Sequence, residues 1–245
     1  MKREKVLSKI NPLILNGVAH RGLFSDKISE NSLKAFELAI ENNVAIELDV
    51  HITKDGELVV IHDEDLKRLT NKEGIVEHLT LNELNNYKLL DGQKIPTFKE
   101  VLELVNERVP ILIELKVYEK NYKRLSNKIK EFLPHYIKDK KNYMFISFDP
   151  RSLWPLKKMG IIRLLLCTIT HEYVYNYFRH TCDGLYLEDV FFSQKRVQKY
   201  SKKHFMNVWT IEKKEQIEKV LPYIDTLTYQ LMDPKEVSSI LKNKH

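Results

Sequence analysis

Short apolar segments alternate with amphipathic helical segments along most of the 245-residue chain. Strand-like runs such as ILIELK and YMFISF each precede a stretch with apolar residues at helical spacing. The chain contains eight such units, if the hairpin over residues 47–63 counts as one strand with an arm. Strict alternation predicts a parallel sheet covered by helices, and eight units in this length predict a single (β/α)8 TIM-barrel domain over residues 1–245. An open doubly wound sheet is the alternative, although no glycine-rich phosphate loop supports it.

Helix-start signals agree with these boundaries. Asp149-Pro150 and Asp233-Pro234 each place a capping Asp before a Pro suited to the first helical position. Thr97 and Glu100 form a capping-box pattern that opens the helix after the hairpin. Residues 64–95 interrupt the alternation and carry a second such pattern at Thr80. They therefore predict a short insertion with a short helix, at one rim of the barrel and before the second main helix.

The hairpin ELDVHITKDGELVVIHD extends the second strand and keeps its charges among apolar residues. If Asp55-Gly56 is a two-residue turn, Asp49 lies directly opposite His62, and opposed residues share one face of a sheet. This register predicts that His62 points into the same site as Glu47 and Asp49. His51 lies on that face nearer the turn, and we interpret it as a rim residue.

The carboxylates of two strands are predicted to point into the barrel mouth. Side chains alternate along a strand, so the apolar neighbours of Glu47, Asp49 and Glu114 pack under the helices. Three buried carboxylates and one lysine, Lys116, do not balance in charge. An oxygen-preferring cation such as Mg²⁺ or Ca²⁺ resolves the excess, whereas the Cys and His ligands typical of zinc are absent from this pattern.

His20 ends the first strand, where TIM barrels form their active sites, and Arg21 follows it. A guanidinium can bind a phosphate through two hydrogen bonds. Two histidines, His20 and His62, can divide general-base and general-acid work near neutral pH. A lone His is more often a buried residue satisfied by a neighbour, but the convergence of these residues favours function.

Composition and charge narrow the remaining classes of function and of cellular location. The net charge of +6 and pI near 9.0 come from lysines interleaved with apolar and acidic residues, typical of solvated helix faces and not of a nucleic-acid interface. Two cysteines outside any metal-ligand spacing favour a reducing compartment. No signal-peptide pattern or membrane-spanning apolar stretch is evident. We therefore expect a cytoplasmic protein without stable membrane insertion, whose oligomeric state the sequence leaves open.

The ordered motifs AHRG, EN, ELDVHITKDGELVVIHD, IPTFKEVL, IELK and VWT together resemble the glycerophosphodiester phosphodiesterase family, from about Val18 to Thr210. The resemblance implies hydrolysis of glycerophosphodiesters to glycerol 3-phosphate and an alcohol such as choline, ethanolamine or glycerol. It also implies a divalent metal, Mg²⁺ or Ca²⁺ with Mn²⁺ as a further candidate. The implied residue roles are acid–base catalysis by His20 and His62, metal binding by Glu47, Asp49 and Glu114, phosphate binding by Arg21 and Lys116, and lining of the glycerol pocket by Trp209.

Some features leave alternatives open. Trp209 could instead be a barrel-packing aromatic, and Asn31 is interpreted as a structural residue, a helix N-cap that could also support the site. The last strand, IDTLTYQLMDP, lacks the glycine usual in the family, which puts the substrate preference in question if Thr228 and Gln230 face inward. A lysophospholipase D would need an apolar groove, which VFFSQ or the insertion could supply. A non-catalytic phosphodiester-binding barrel is the alternative outside enzymes.

Overall fold

Eight parallel strands close into a barrel in the computed structural model, which describes residues 3–243. The strands are β1 Val18–Ala19, β2 Ala45–Ile52, β3 Leu58–Val60, β4 Ile111–Leu115, β5 Tyr143–Ser147, β6 Ile162–Cys167, β7 Gly184–Glu188, β8 Phe205–Ile211 and β9 Thr226–Tyr229. β1 pairs with both β2 and β9, which closes the barrel, while β3 pairs antiparallel with β2 as an arm outside it. The predicted TIM barrel is confirmed.

Helices follow the barrel strands and cover the outside of the barrel. The helices are α1 Arg3–Leu7, α2 Leu33–Glu41, α3 Lys67–Thr70, α4 Leu81–Leu84, α5 Phe98–Val105, α6 Tyr122–Phe132, α7 Pro150–Leu153, α8 Glu172–Phe178, α9 Lys195–Ser201, α10 Lys214–Val220 and α11 Pro234–Lys242. The predicted capping boxes at Thr80 and Thr97 and the predicted Asp caps before α7 and α11 are confirmed. Within residues 3–243, no helix combines the length and the apolar character that a membrane crossing requires.

The hairpin forms, but the predicted register is wrong by one residue. Ile52 pairs with Leu58, and the Ile61 amide donates to the Asp49 carbonyl, so Ile61 and not His62 lies opposite Asp49. The turn has three residues, 54–56, because Thr53 Oγ1 accepts a hydrogen bond from the Glu57 amide at 2.9 Å and fixes the wider loop. His62 instead stands beyond the end of β3, in the segment that leads into the insertion.

Apolar side chains form three buried clusters. The largest lies between the barrel and its helices and includes the outward-facing residues of β2 and β4. A second fills the lower barrel interior, where Val6, Ile10 and Ile14 from the N-terminal segment meet inward-facing residues such as Leu112 and Phe205. The third joins β3 to the insertion, which therefore packs on the hairpin arm. Because the lower interior is filled with apolar groups, the charged inward-facing residues of β2 and β4 lie near the carboxyl ends of the strands.

Candidate active site

Three carboxylates from two adjacent strands meet inside the upper barrel. Glu47 and Asp49 lie on β2, and Glu114 lies on β4 directly beside Asp49 in the strand register. All three are buried, and one oxygen from each lies within 4.8 Å of the others. Carboxylate oxygens at this spacing suit a hard divalent cation such as Mg²⁺ or Ca²⁺. The predicted metal-ligand residues are thus brought together.

The nearby cations Arg21 and Lys116 do not balance the charge of the three carboxylates. Burial, together with the charges of Asp49 and Glu114, raises the pKa of Glu47 well above its usual range. Burial also opposes ionisation of Asp49, but Lys116 and other nearby cations outweigh it and hold the Asp49 pKa below its usual range. Asp49 Oδ1 accepts no hydrogen bond from any described residue and lies 3.5 Å from Lys116 Nζ. An unbonded carboxylate oxygen in a buried acidic cluster fits a cation ligand.

His20 is held in one tautomer by residues from the last two strands. Gln230 Nε2 donates to Glu212 Oε1 at 2.6 Å, so the amide oxygen of Gln230 faces His20. His20 Nδ1 must therefore donate to that oxygen, at 2.6 Å, and Nε2 is left as the free nitrogen, 4.0 Å from Glu47. Burial, aided by the Arg21 charge, lowers the pKa of His20 to about 4, so this ring is neutral at pH 7.

His62 has a charged partner in place of an amide. Its Nδ1 lies 2.5 Å from Asp63 Oδ1, which selects the same Nδ1–H tautomer and leaves Nε2 free. Burial opposes ionisation of Asp63, but hydrogen bonds from Arg68 and His62 outweigh it and lower the Asp63 pKa to about 2. Although the register prediction was wrong, His62 lies close enough for its charge to interact with Asp49 and His20.

Arg21 and Lys116, the predicted phosphate-binding residues, stand on opposite sides of Asp49. Arg21 Nε lies 3.5 Å from Asp49 Oδ2, and Arg21 Nη1 donates to Glu30 Oε1 at 2.7 Å. Lys116 Nζ lies 3.0 Å from Glu114. Both cations therefore lie beside the carboxylates, and their role toward a phosphate stays a prediction.

Two residues differ from their predicted roles. Asn31 is not a helix N-cap, because Ser32 caps α2; instead Asn31 is buried and donates to Asp49 Oδ2 at 2.8 Å. His51 is not a rim residue: it is buried, with Nδ1 2.5 Å from Glu77 and Nε2 3.1 Å from the His62 carbonyl. The insertion covers His51, which a strand-face argument alone does not anticipate.

A groove lined by both charged and aromatic side chains opens from Glu114 toward the loops that follow β5 and β6. Its volume is about 650 Å³, with the exposed aromatic residues Phe148, Trp154 and Tyr173 on one side and further charged residues on the rest of the lining. The segment at 190–194 does not supply such a groove, because Phe191 and Phe192 are buried in the outer core. The loops that follow β5 and β6 do so instead.

Trp209, the predicted pocket residue, stands at the edge of this region. Its ring lies nearly perpendicular to that of Phe148, with centroids 5.5 Å apart, and its Nε1 donates to the Tyr186 carbonyl at 3.2 Å. Inward-facing Thr228 is buried and accepts a hydrogen bond from Asn207 at 3.4 Å. The role of Trp209 toward a substrate stays a prediction.

Sequence reasoning missed the partners of the two histidines. Gln230 lies 210 residues from His20, and nothing in the local sequence indicates that contact. Asp63 directly follows His62, and Arg68 lies five residues after Asp63, so the stretch HDEDLKR carried a signal for that pair.

Comparisons with known proteins agree with this geometry. The sequence model of the Glycerophosphoryl diester phosphodiesterase family matches residues 20–225. A glycerophosphodiester phosphodiesterase of Bacillus altitudinis is 42% identical over 128 residues, which are 48% of this chain and 52% of that protein. The matches span about half the length of the first curated relatives.

Solved structures extend the likeness to nearly the whole chain. The glycerophosphodiester phosphodiesterase of Thermotoga maritima is 31% identical with a TM-score of 0.70, covering 92% of this chain and 96% of that one. An Oleispira antarctica phosphodiesterase, solved in complex with the product sn-glycerol-3-phosphate, has a TM-score of 0.80 at 23% identity and covers 98% of both chains. With the family match spanning most of its residues, the chain belongs to the glycerophosphoryl diester phosphodiesterase family.

Proposed function

We propose that the protein hydrolyses glycerophosphodiesters to glycerol 3-phosphate and an alcohol, with a divalent metal ion as cofactor. The observation that carries the proposal is the buried cluster of Glu47, Asp49 and Glu114, which stands beside His20 and His62 at the carboxyl ends of the strands. Membership of the family supports the reaction class. Product recorded in the Oleispira antarctica phosphodiesterase supports glycerol 3-phosphate as the ligand to test.

Charge complementarity explains how such a site would hold a phosphodiester. A divalent cation bound by the three carboxylates would neutralise charge on the phosphoryl oxygens and lower the pKa of the attacking hydroxyl. Arg21 and Lys116 stand within 3.5 Å of Asp49 and can donate hydrogen bonds to the same phosphate. Their own carboxylate partners keep both cations oriented before substrate arrives.

The partners of the two histidines suggest a division of labour. His20 is neutral with Nε2 free, so it accepts the proton of the attacking hydroxyl, whose oxygen bonds to phosphorus. The bond from phosphorus to the departing alkoxide breaks, and His62, in its doubly protonated form, donates its Nε2 proton to that alkoxide and returns to the neutral Nδ1–H tautomer. Burial lowers the pKa of His62, but Asp49 and the bonded Asp63 carboxylate act against that shift, and because a carboxylate stabilises an imidazolium more than an amide does, Asp63 favours His62 over His20 as the acid.

The proposal is tested by measuring glycerol 3-phosphate release from glycerophosphocholine, with EDTA and after readdition of Mg²⁺, Ca²⁺ or Mn²⁺. We expect EDTA to abolish release and at least one metal to restore it. Release that is unaffected by EDTA would remove the metal from the proposal. No release with any metal, from glycerophosphocholine, glycerophosphoethanolamine or glycerophosphoglycerol, would favour a binding barrel.

The catalytic roles are tested by His20→Ala and His62→Ala. Each variant should lower kcat by at least about a hundredfold, the usual size of an acid–base contribution. His78→Ala is a suitable control, because His78 lies in the insertion and packs edge-on against Tyr118. A near-normal rate in either site variant, with the far-ultraviolet spectrum unchanged, would refute that residue's role.

Lysophospholipids are a second candidate substrate class, and the aromatic side of the groove is the observation in their favour. Exposed aromatic residues such as Trp154 and Tyr173 line a cavity that begins at the metal-ligand residue Glu114. Exposed apolar patches of this kind often mark ligand-binding grooves. Trp154→Ala should lower turnover of lysophosphatidylcholine while leaving that of glycerophosphocholine unchanged; equal effects on both would argue against an acyl-chain subsite.

A further inference from the structure

A chain of charged hydrogen bonds runs from the predicted phosphate-binding arginine to the predicted acid–base histidine. Arg21 donates to Glu30 at 2.7 Å, and Arg68 donates to both oxygens of Glu30 at 2.8 and 3.2 Å. The Nε of Arg68 donates to Asp63, which accepts the Nδ1 proton of His62. One guanidinium therefore bridges the two carboxylates that orient Arg21 and His62.

Arg68 itself stands outside the carboxylate cluster. It lies on α3 of the insertion, and its side chain is about half exposed. Exposed ion pairs add little to stability, which makes a purely structural reason for this arrangement weak. Its value is geometric: a planar guanidinium offers donors along two edges, so it can fix two carboxylates relative to each other, as a lysine ammonium cannot.

The tautomer of His62 depends on where the Asp63 carboxylate points. Asp63 Oδ1 accepts from His62 while Oδ2 accepts from Arg68, so the two hydrogen bonds fix the rotation of one carboxylate group. Without Arg68, Asp63 and Glu30 would be two carboxylates with no shared cation between them. Their repulsion would turn Asp63 away and release the His62 ring to either tautomer.

We propose that Arg68 is a positioning residue, which holds His62 in the Nδ1–H tautomer and Arg21 in its binding orientation by bridging Asp63 and Glu30. The insertion at residues 64–95 then contributes to catalysis although none of its residues needs to touch the reacting atoms. In other enzymes the carboxylate that bonds a catalytic histidine holds that histidine in the correct tautomer. Removing the carboxylate lowers kcat strongly, which is a precedent for an effect of tautomer on rate.

The kinetic test compares Arg68→Ala, Arg68→Lys and the control Lys67→Ala. Lys67 is a neighbouring exposed cation paired with Glu73, so its removal costs a similar surface ion pair outside the chain of hydrogen bonds. Arg68→Ala should lower kcat on glycerophosphocholine about tenfold to a hundredfold, the scale of a slightly misplaced catalytic group. Non-denaturing guanidinium chloride, compared with equal sodium chloride, should restore much of that loss. Arg68→Lys should keep only part of the parental kcat. Lys67→Ala should show no loss of kcat.

The kinetic measurement rests on the proposed function, so a second readout is independent of turnover. Histidine ¹⁵N spectra of the protein, with the His62 signals assigned by their loss in His62→Gln, should show protonated Nδ1 in the parent and a tautomer mixture in Arg68→Ala. An unchanged His62 tautomer in Arg68→Ala would overturn the proposal, as would full kcat in Arg68→Lys or a lack of guanidinium rescue. An inactive parent would instead refute the proposed function, and the spectra would still decide the role of Arg68.

Discussion

His20 and His62 differ in the group to which the Nδ1 of each ring is hydrogen-bonded. The Nδ1 of His20 bonds the neutral amide of Gln230, whereas the Nδ1 of His62 bonds the carboxylate of Asp63. In both rings Nδ1 makes this hydrogen bond and Nε2 is left free, so the asymmetry lies in the charge of the partner and not in the tautomer. The same imidazole group can thereby serve opposite proton-transfer roles within one site, provided that the partners keep the two rings distinct.

The lowered pKa of His20 predicts a pH-dependent stability in the metal-free protein. Because the pKa falls from 6.5 to about 4 on folding, the unfolded state binds more protons between these values. The contribution of His20 to stability is therefore complete above pH 6.5 and is lost as the pH falls toward 4. At pH 5 the loss is about 2 kcal/mol relative to pH 7.5.

Urea unfolding in EDTA at the two pH values measures this contribution. His20→Gln keeps a polar side chain but cannot titrate, so its free energy of unfolding should fall by about 2 kcal/mol less between pH 7.5 and pH 5 than that of the parent. Groups shared by both proteins largely cancel in the difference. An identical pH dependence in parent and variant would contradict the lowered pKa.

Residue identity and strand alternation are enough to find the carboxylates and histidines, but not their supporting partners. Glu47, Asp49 and Glu114 could be predicted because alternation along a strand is a local rule. Asn31 could not, because its left-handed backbone, with φ of 54°, and its contact with Asp49 follow from how the loop packs. Supporting residues such as Gln230 depend on barrel closure, which brings distant segments together.

At the scale of elements, the cluster of three buried carboxylates is a consequence of how β2 and β4 pair. Their parallel register places Asp49 beside Glu114, and Glu47 lies two residues earlier on the same face. Burial raises the pKa of Glu47, and the charges of Asp49 and Glu114 raise it further, so side chains this close repel one another without a counterion. The hairpin extending from β2 and the insertion then place His62 above the same cluster.

The cluster of three buried carboxylates predicts that a bound metal raises the free energy of unfolding. Glu47→Gln should remove this increase. A saturating divalent metal, at about a hundredfold its Kd, should add about 2.7 kcal/mol and raise Tm by several degrees. In Glu47→Gln the metal should have little effect, while the metal-free variant should be at least as stable as the metal-free parent, because a buried like-charge interaction is removed.

Thermal unfolding with EDTA or with excess Mg²⁺, Ca²⁺ or Mn²⁺ provides the measurement, and Glu57→Gln is the control. Glu57 lies on the same hairpin but is exposed and outside the cluster. It should keep the full metal-dependent rise in Tm. The assignment of Glu47 as a ligand would fail if both variants responded to metal as the parent does.

The hairpin shows where element-level prediction stops. The Asp55-Gly56 sequence correctly indicated a turn between antiparallel strands, but it did not fix the loop length. The side chain of Thr53, which bonds both Asp55 and the Glu57 amide, adds one residue to the loop and shifts the register. A shift of one residue changes which side chains share a face, so strand pairing alone could not place His62 correctly.

At the scale of the whole molecule, apolar residues that stabilise the barrel lie at one end, and the charged residues of the candidate active site lie at the other. Its lower interior is closed by α1 and the 3-10 turn Pro12–Asn16, whose apolar residues pack among inward-facing side chains of the strands. Thr226 on β9 donates to the Ile14 carbonyl at 2.5 Å, which ties this segment to the last strand. The charged site occupies the opposite end, as in barrels of this class generally.

This separation predicts that Ile14→Ala lowers stability without affecting the reaction. Ile14 is fully buried in the lower interior cluster, so truncation to alanine should cost about 2–5 kcal/mol of unfolding free energy. Leu90→Ala, at an exposed leucine in the insertion, should cost far less. For Ile14→Ala, kcat per folded molecule should stay within about twofold of the parent, because nothing at the carboxyl ends of the strands moves.

Urea unfolding combined with kcat on glycerophosphocholine distinguishes this outcome from its alternative. The expected pattern is the reverse of that for Arg68→Ala, in which kcat falls while stability changes little because Arg68 is half exposed. A fall in kcat for folded Ile14→Ala would mean that packing at the lower end sets the geometry of the carboxylates on β2 and β4. The barrel interior would then act as one mechanically coupled unit, and its two ends could not be altered independently.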